Sequence, residues 1–333
     1  MKTTSVLLQS LCVPCCNRCR YCLLSWNGKT EGVDWDRSVR FAERFLREIK
    51  EQRPDVRASF AYGYAMEHPD MAAAIRILRR LGSPMADFLQ CDGMKMRDES
   101  ACIALMETLR KEGVKQLNFT VYGPRKYHDR FAGRNGDYDL LQRMMCAAKK
   151  AGIPFSIGIP LTKENAADMD ELLCELQKTG CESIRLFIPH GEGRGKSLEN
   201  IRITKPELMA LSDAARRLLH TGIYRAEAEW LIEADPVQEE NRMILVSLRP
   251  EVIERYERMD ADAIVSEIEE LDERYYAAFP SFSELAQAYG DPDGKKMYRI
   301  RDLYARYRSF YATEHGLHLY DVTDERQSGS RRY

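Results

Sequence analysis

Five of the chain's ten cysteines stand within eleven residues: Cys12-Val-Pro-Cys15-Cys16-Asn17-Arg18-Cys19-Arg20-Tyr21-Cys22. Neighbours two or three residues apart bridge poorly, because a disulfide demands a particular Cα spacing and Cβ direction. Thiolates this dense suit a soft metal, either iron in an iron–sulfur cluster or zinc. Cys15, Cys19 and Cys22 give the spacing C-x3-C-x2-C, and Cys12, Cys16 and Cys19 give it again in an earlier register. Three thiolates can hold three irons of a [4Fe–4S] cluster and leave the fourth open to a substrate or cosubstrate, much as an open position marks a catalytic zinc. The same peptide admits a structural zinc knot on Cys12, Cys15, Cys19 and Cys22. That would make the chain a binding module rather than an enzyme.

The loop must be held by what surrounds it. A short apolar run, Val6-Leu7-Leu8, precedes it and predicts a strand over 4–10. Asp34 or Asp36 can cap a helix whose apolar positions Val39, Phe41, Ala42, Phe45, Leu46 and Ile49 recur at helical period. Strands over 56–62, 86–90, 114–122, 153–159 and 183–188 then alternate with helices over 69–81, 98–112, 138–151 and 165–179. A polar loop is expected over 124–136. Six such alternations with short glycine-bearing loops are the pattern of a parallel sheet with crossover helices. Polar and special residues gather after the strands, where α/β folds place ligands. From about residue 204 helical periodicity takes over, and no strand is expected before His318-Leu-Tyr-Asp-Val322.

Bulk properties narrow the classes. The 333 residues, 44% hydrophobic and 31% charged, suit one large globular domain or one plus an appendage. A formal net charge of −2 leaves the whole molecule without a nucleic-acid footprint. No apolar run approaches the roughly 20 residues of a membrane span, and the first residues do not read as a signal peptide. Cys91, Cys102, Cys146, Cys174 and Cys181 are scattered, as in a reducing cytoplasm. Arg299, Arg301, Arg306 and Arg308 alternate with tyrosines as an RNA-binding stripe does. The apolar helical stripe already explains those tyrosines.

Together, the cysteine loop after strand one and the βα alternation resemble the core of the radical S-adenosylmethionine (radical SAM) superfamily. Tyr21, just before Cys22, matches the aromatic residue that lies against the adenine in that family, which selects Cys15, Cys19 and Cys22 as the metal ligands. Leu89-Gln90-Cys91-Asp92-Gly93, Thr120-Val-Tyr-Gly-Pro124 with His128-Asp129-Arg130, and Phe187-Ile-Pro-His190 with Gly193-Arg194-Gly195 are similar to further strand ends of peptide-modifying members. The resemblance implies a partial (β/α)6 TIM-like barrel over 1–203, a mainly helical cap that selects substrate over 204–325, and a disordered tail over 326–333. It implies one [4Fe–4S] cluster and S-adenosylmethionine as cofactors, a small electron donor such as flavodoxin or ferredoxin, and a peptide or small-molecule substrate. It places Thr120 on the ribose and Ile188 and Pro189 beside the adenine. No cysteine follows Cys181, so the auxiliary clusters of many peptide-modifying members are not expected.

Two strand ends depart from the family. Its second-strand turn, usually Gly-Gly-Glu-Pro, reads Tyr62-Gly63-Tyr64-Ala65-Met66-Glu67-His68-Pro69, with Tyr64 in the glutamate's place. The carboxylate for the methionine amino group is then expected from Glu67, or backbone near Gly63 serves alone. Ala132 stands where an arginine is frequent, so Arg130 or Arg134 is expected to reach the methionine carboxylate. A barrel that keeps a cluster without cleaving S-adenosylmethionine is the other reading these departures allow.

Overall fold

The computed structural model describes residues 1–10, 15–22, 33–63, 65–191, 193–232, 241–317 and 329–332. Strand β1 (Lys2–Ser10) leads directly to the cysteine loop. Helix α1 (Trp35–Gln52) starts on Asp34, whose side chain accepts from Arg37 N, and buries the predicted Phe41, Ala42, Phe45 and Ile49 face. β2 (Arg57–Tyr62), α2 (Met71–Arg80), β3 (Phe88–Gln90), α3 (Glu99–Lys111) and β4 (Gln116–Thr120) follow. Next come α4 (Arg125–Ala132), α5 (Asp137–Ala151), β5 (Phe155–Pro160), α6 (Met169–Gln177) and β6 (Ser183–Phe187). The expected α/β alternation is therefore present.

The strands of the βα alternation fall into two sheets rather than one continuous wall. One runs β3-β4-β5-β6, all parallel. The other contains β1 and β2, parallel with Ser10 opposite Tyr62. Among the described residues no ladder joins β2 to β3. Each sheet has its own core. Leu117, Phe119, Phe155 and Ile157 pack with α3, α5 and α6 residues, whereas Val6, Leu8, Phe60 and Phe45 belong to a separate cluster.

Three differences from the sequence reading stand out. The segment over 124–136 is not a loop throughout, because α4 occupies most of it. Pro124 precedes its first turn and Gly133 ends it in the left-handed conformation at φ 67°, the arrangement proline and glycine favour at the two ends of a helix. Secondly, beyond residue 204 the chain does contain a long strand. After β7 (Arg225–Ala226), β8 (Asn241–Leu248) pairs parallel with β1, Val6 opposite Ile244 and Ser10 opposite Leu248. Ile244, Val246 and Leu248 are buried. A short continuous apolar run suits a strand covered on both faces, and periodicity alone does not separate it from a buried helix. Thirdly, β10 (Gly329–Arg332), in the tail expected to be disordered, pairs antiparallel with β8. The expected strand over 318–322 lies outside the described residues.

The remaining elements are helical, as expected. They are α7 (Lys205–Met209), α8 (Asp213–Leu218), α9 (Glu227–Trp230), α10 (Pro250–Tyr256), α11 (Ala261–Ala277), α12 (Phe282–Tyr289) and α13 (Ile300–His315). The short β9 (Met297–Tyr298) pairs antiparallel with β7. Within the arginine stripe, Arg306 binds Glu227 at 3.1 Å and Arg308 lies over the rings of Tyr304 and Tyr276. Those cations are committed within the protein. No helix among the described residues is long and apolar enough to cross a membrane.

Candidate active site

The described part of the cysteine loop is fastened by backbone hydrogen bonds to the ends of several elements. Cys16 N donates to Gly93 O at 2.8 Å after β3, Arg18 N to Ala132 O at 2.8 Å and Arg20 N to Phe131 O at 3.0 Å in α4. Gly133 makes that docking possible, since a Cβ there would come within 3.1 Å of the Arg18 carbonyl oxygen. On the far side Arg194 donates twice, through N to Cys22 O and through Nε to Cys19 O, each at 3.0 Å.

Below the loop lies a buried polar chain. Asn17 Nδ2 donates to Asp137 Oδ2 at 2.9 Å, and His128 Nε2 meets the same oxygen at 3.0 Å. His128 Nδ1 accepts from the backbone N of Tyr122 at 3.1 Å, so its proton is on Nε2 and points to Asp137. Arg134 closes the chain, donating to Asp137 and to the Met94 carbonyl. Burial works against the Asp137 carboxylate, but the His128 and Arg134 hydrogen bonds outweigh it and hold its carboxyl below the usual value. Asp129, the sequence neighbour of His128, accepts from Gly136 N and Tyr138 N instead. His128 is thus a structural group that fixes the loop.

Cys15, Cys19 and Cys22 line a cavity of about 590 Å³, together with Asn17, Tyr21, Asp92 and Thr120. Among the described residues no group of three or more Cys, His, Asp or Glu side chains has converged to metal-binding distance. The Cys15 sulfur accepts from Asn17 N at 3.4 Å, and the Cys19 sulfur lies 3.0 Å from the Tyr122 hydroxyl. Tyr21 packs its ring against those of Tyr122, Phe131 and Phe187 at centroid distances of 5.7, 5.9 and 6.1 Å.

Of the residues singled out in the sequence, the three cysteines, Tyr21 and Thr120 meet at the cavity. The others lie elsewhere. Glu67 is 3% exposed and clamped by Arg97, whose Nη1 and Nη2 donate to its two oxygens at 2.6 and 3.0 Å. Arg130 is exposed, over the Tyr127 ring, and Arg134 belongs to Asp137. Gly63 N donates to Ser10 O, tying β2 to the end of β1. Ile188 and Pro189 are buried outside the lining, between Phe187 and His190, which do line it. Tyr64 is outside the described residues.

Asp92 and Asn17 also line the cavity, neither with a role assigned from the sequence. Asp92 is the one acidic side chain among the described lining residues. It accepts from Thr120 N at 2.8 Å and from the Gln90 amide, and burial pushes its carboxyl up to about 6. Asn17 carries a buried Oδ1 with no hydrogen-bond partner among the described residues. The signal for Asp92 was its place directly after β3; nothing in the sequence marked Asn17.

The profile of the Radical SAM superfamily matches residues 11–176. Among solved structures, SuiB from Streptococcus suis is 14% identical over 55% of this chain and 39% of its own length, at a TM-score of 0.40. The structure of anSMEcpe with bound AdoMet and Cp18Cys peptide is 17% identical over 62% of this chain and 57% of its own, at 0.42. Coproporphyrinogen III oxidase (HemN) from Escherichia coli is 16% identical over 56% of this chain and 44% of its own, at 0.35. The chain thus spans less than two thirds of each of these proteins. No curated protein matches it. The profile match takes in the cysteine loop and the strand ends from β2 to β5, and by it the chain belongs to the radical SAM superfamily.

Proposed function

We propose that the chain holds a single [4Fe–4S] cluster on Cys15, Cys19 and Cys22 and uses it to cleave S-adenosylmethionine reductively. The observation that carries this reading is that the three thiols of one loop line one cavity with a carboxylate and an aromatic wall. The donor set fits the cluster: three soft thiolates leave one iron open. Bound there, the cluster would supply one electron to the sulfonium, giving methionine and a 5′-deoxyadenosyl radical that takes hydrogen from a peptide or small-molecule substrate. The electron would come from a small cytoplasmic donor such as flavodoxin or ferredoxin.

The chain's own residues have definable tasks. Tyr21, backed by Phe131 and Phe187, offers an aromatic face to the adenine, and the Thr120 hydroxyl a partner to the ribose. S-adenosylmethionine carries an ammonium that must find acceptors when water is excluded. Asp92 and the unpartnered Asn17 Oδ1 are the acceptors at hand, and they take the place expected of Glu67, which Arg97 occupies. The Tyr122 hydroxyl against Cys19 and the Asn17 N–H against Cys15 are hydrogen bonds to sulfur of the kind that set cluster potentials.

Metal analysis after anaerobic reconstitution tests the reading. The expected result is near-stoichiometric iron and sulfide, with loss of both in Cys22→Ala. Stoichiometric zinc without sulfide would refute it.

A further inference from the structure

The cavity has a second, cationic end that none of the tasks above uses. Arg185 and Phe187 stand two residues apart on β6, so they share the face that lines it. The Arg185 side chain is exposed, and no hydrogen-bond or ion-pair partner stands on its guanidinium among the described residues. Arg299, immediately before α13, also lines the cavity. Its Nε and Nη2 donate to the two oxygens of Asp302 at 2.7 and 2.9 Å, and Asp302 is 1% exposed, so the guanidinium plane is fixed. Nη2 also contacts His190 Nδ1, which accepts in addition from Arg301 Nη2 at 3.2 Å. A ring nitrogen that accepts from guanidinium carries no proton, so His190 keeps its N–H on Nε2 as a donor. His220 and the Tyr224 hydroxyl complete this end. Its one buried carboxylate, Asp302, offsets Arg299 and leaves Arg185 unbalanced; Asp92 lies with Gln90 and Thr120, at the ends of β3 and β4.

Resting on the functional reading above, we infer that the substrate carries a carboxylate, received by Arg185 and Arg299. The planar Arg185 fork can match two carboxylate oxygens, and Arg299, whose Nε and Nη2 are held by Asp302, has Nη1 left to donate. Phe187 and Ile223 line the cavity as well and suit the carbon frame that bears the acid. No bond is made or broken in this step.

The test uses the anaerobically reconstituted full chain saturated with S-adenosylmethionine. Three probes are titrated by calorimetry: N-acetylglutamate α-amide, its uncharged glutamine counterpart, and inorganic phosphate. The glutamate probe is expected to bind about tenfold or more tightly than the glutamine one, the difference a charge-assisted pair makes. Arg185→Gln should remove that preference, and Arg185→Lys should restore part of it. S-adenosylmethionine affinity is measured separately on each variant and should not follow the probe. Equal binding of the two amide probes, an unchanged preference in Arg185→Gln, or tighter binding of phosphate than of carboxylate would overturn the inference. A parallel fall in S-adenosylmethionine affinity would also overturn it, by assigning Arg185 to the cosubstrate's own carboxylate. Iron and sulfide are assayed on the same samples. Their absence beside an intact glutamate preference would strike the functional reading and leave the carboxylate site standing.

Discussion

At the scale of single residues, the account turns on which carboxylate is free to meet a cation. Glu67 is not, because Arg97 takes both its oxygens. Asp92 is held only by neutral donors, the Thr120 amide and the Gln90 side chain. Asp92→Asn is therefore expected to weaken S-adenosylmethionine binding by about 1.5–3 kcal/mol, the contribution of a charged hydrogen bond. Glu67→Gln should leave that affinity near wild type and lower folding stability by about 1.5–3 kcal/mol, because it removes the charged partner of the half-buried Arg97. Calorimetry and denaturant unfolding read the two effects, and a Glu67→Gln variant that loses the ligand while folding normally would reverse the assignment. The thiols and Tyr21 could be grouped from the sequence because their spacing is local, and they line one cavity. Glu67 was open to selection there because Arg97, which pairs with it, is thirty residues away and nothing local announces that pairing. Replacing Cys15, Cys19 or Cys22 by alanine should abolish a reducible cluster, whereas Cys12→Ala and Cys16→Ala should spare it. Cys16 is exposed and does not line the cavity, so only its backbone N–H anchors the loop. Electron paramagnetic resonance of the reduced proteins checks this.

At the scale of elements, α4 and the start of α5 hold the loop through Asp137. Its carboxyl is held below the usual 3.8, so its stabilisation is complete above that value and is lost as pH falls through the depressed one. Asp137→Asn is expected to cost about 3 kcal/mol near neutral pH, as breaking a buried pair does. The gap from wild type should close as pH drops below 4, read from urea midpoints. A gap independent of pH down to acid would show that ionisation of Asp137 is not what holds His128, Arg134 and Asn17. Pro124 and Gly133 bound this helix, with Tyr127 and Phe131 one turn apart on it. The polar residues between them disguised α4 as a loop.

At the scale of the whole molecule, β8 changes how the chain divides. The sequence reading placed a partial barrel over 1–203, yet β8 is a direct parallel neighbour of β1, the strand that leads to the cysteines. Its apolar run, Met243 to Leu248, was legible as buried but not as a strand, because helix and strand leave the same mark over so few residues. A chain ending at residue 203 should lose that neighbour, expose one edge of β1 and aggregate. Soluble, cluster-binding material from such a truncation, seen by size-exclusion chromatography and iron content, would restore the independent barrel.

The claim that binds these scales is that the three thiols and the carboxylate of one cavity serve reductive cleavage of S-adenosylmethionine. Anaerobic incubation of the reconstituted protein with dithionite and S-adenosylmethionine, followed by chromatography, measures it directly. The account predicts slow formation of 5′-deoxyadenosine, lost in Cys19→Ala and diminished in Asp92→Asn. A fully loaded cluster with S-adenosylmethionine bound that gives no 5′-deoxyadenosine with any reductant would contradict it and leave a barrel that holds the cofactors without using them.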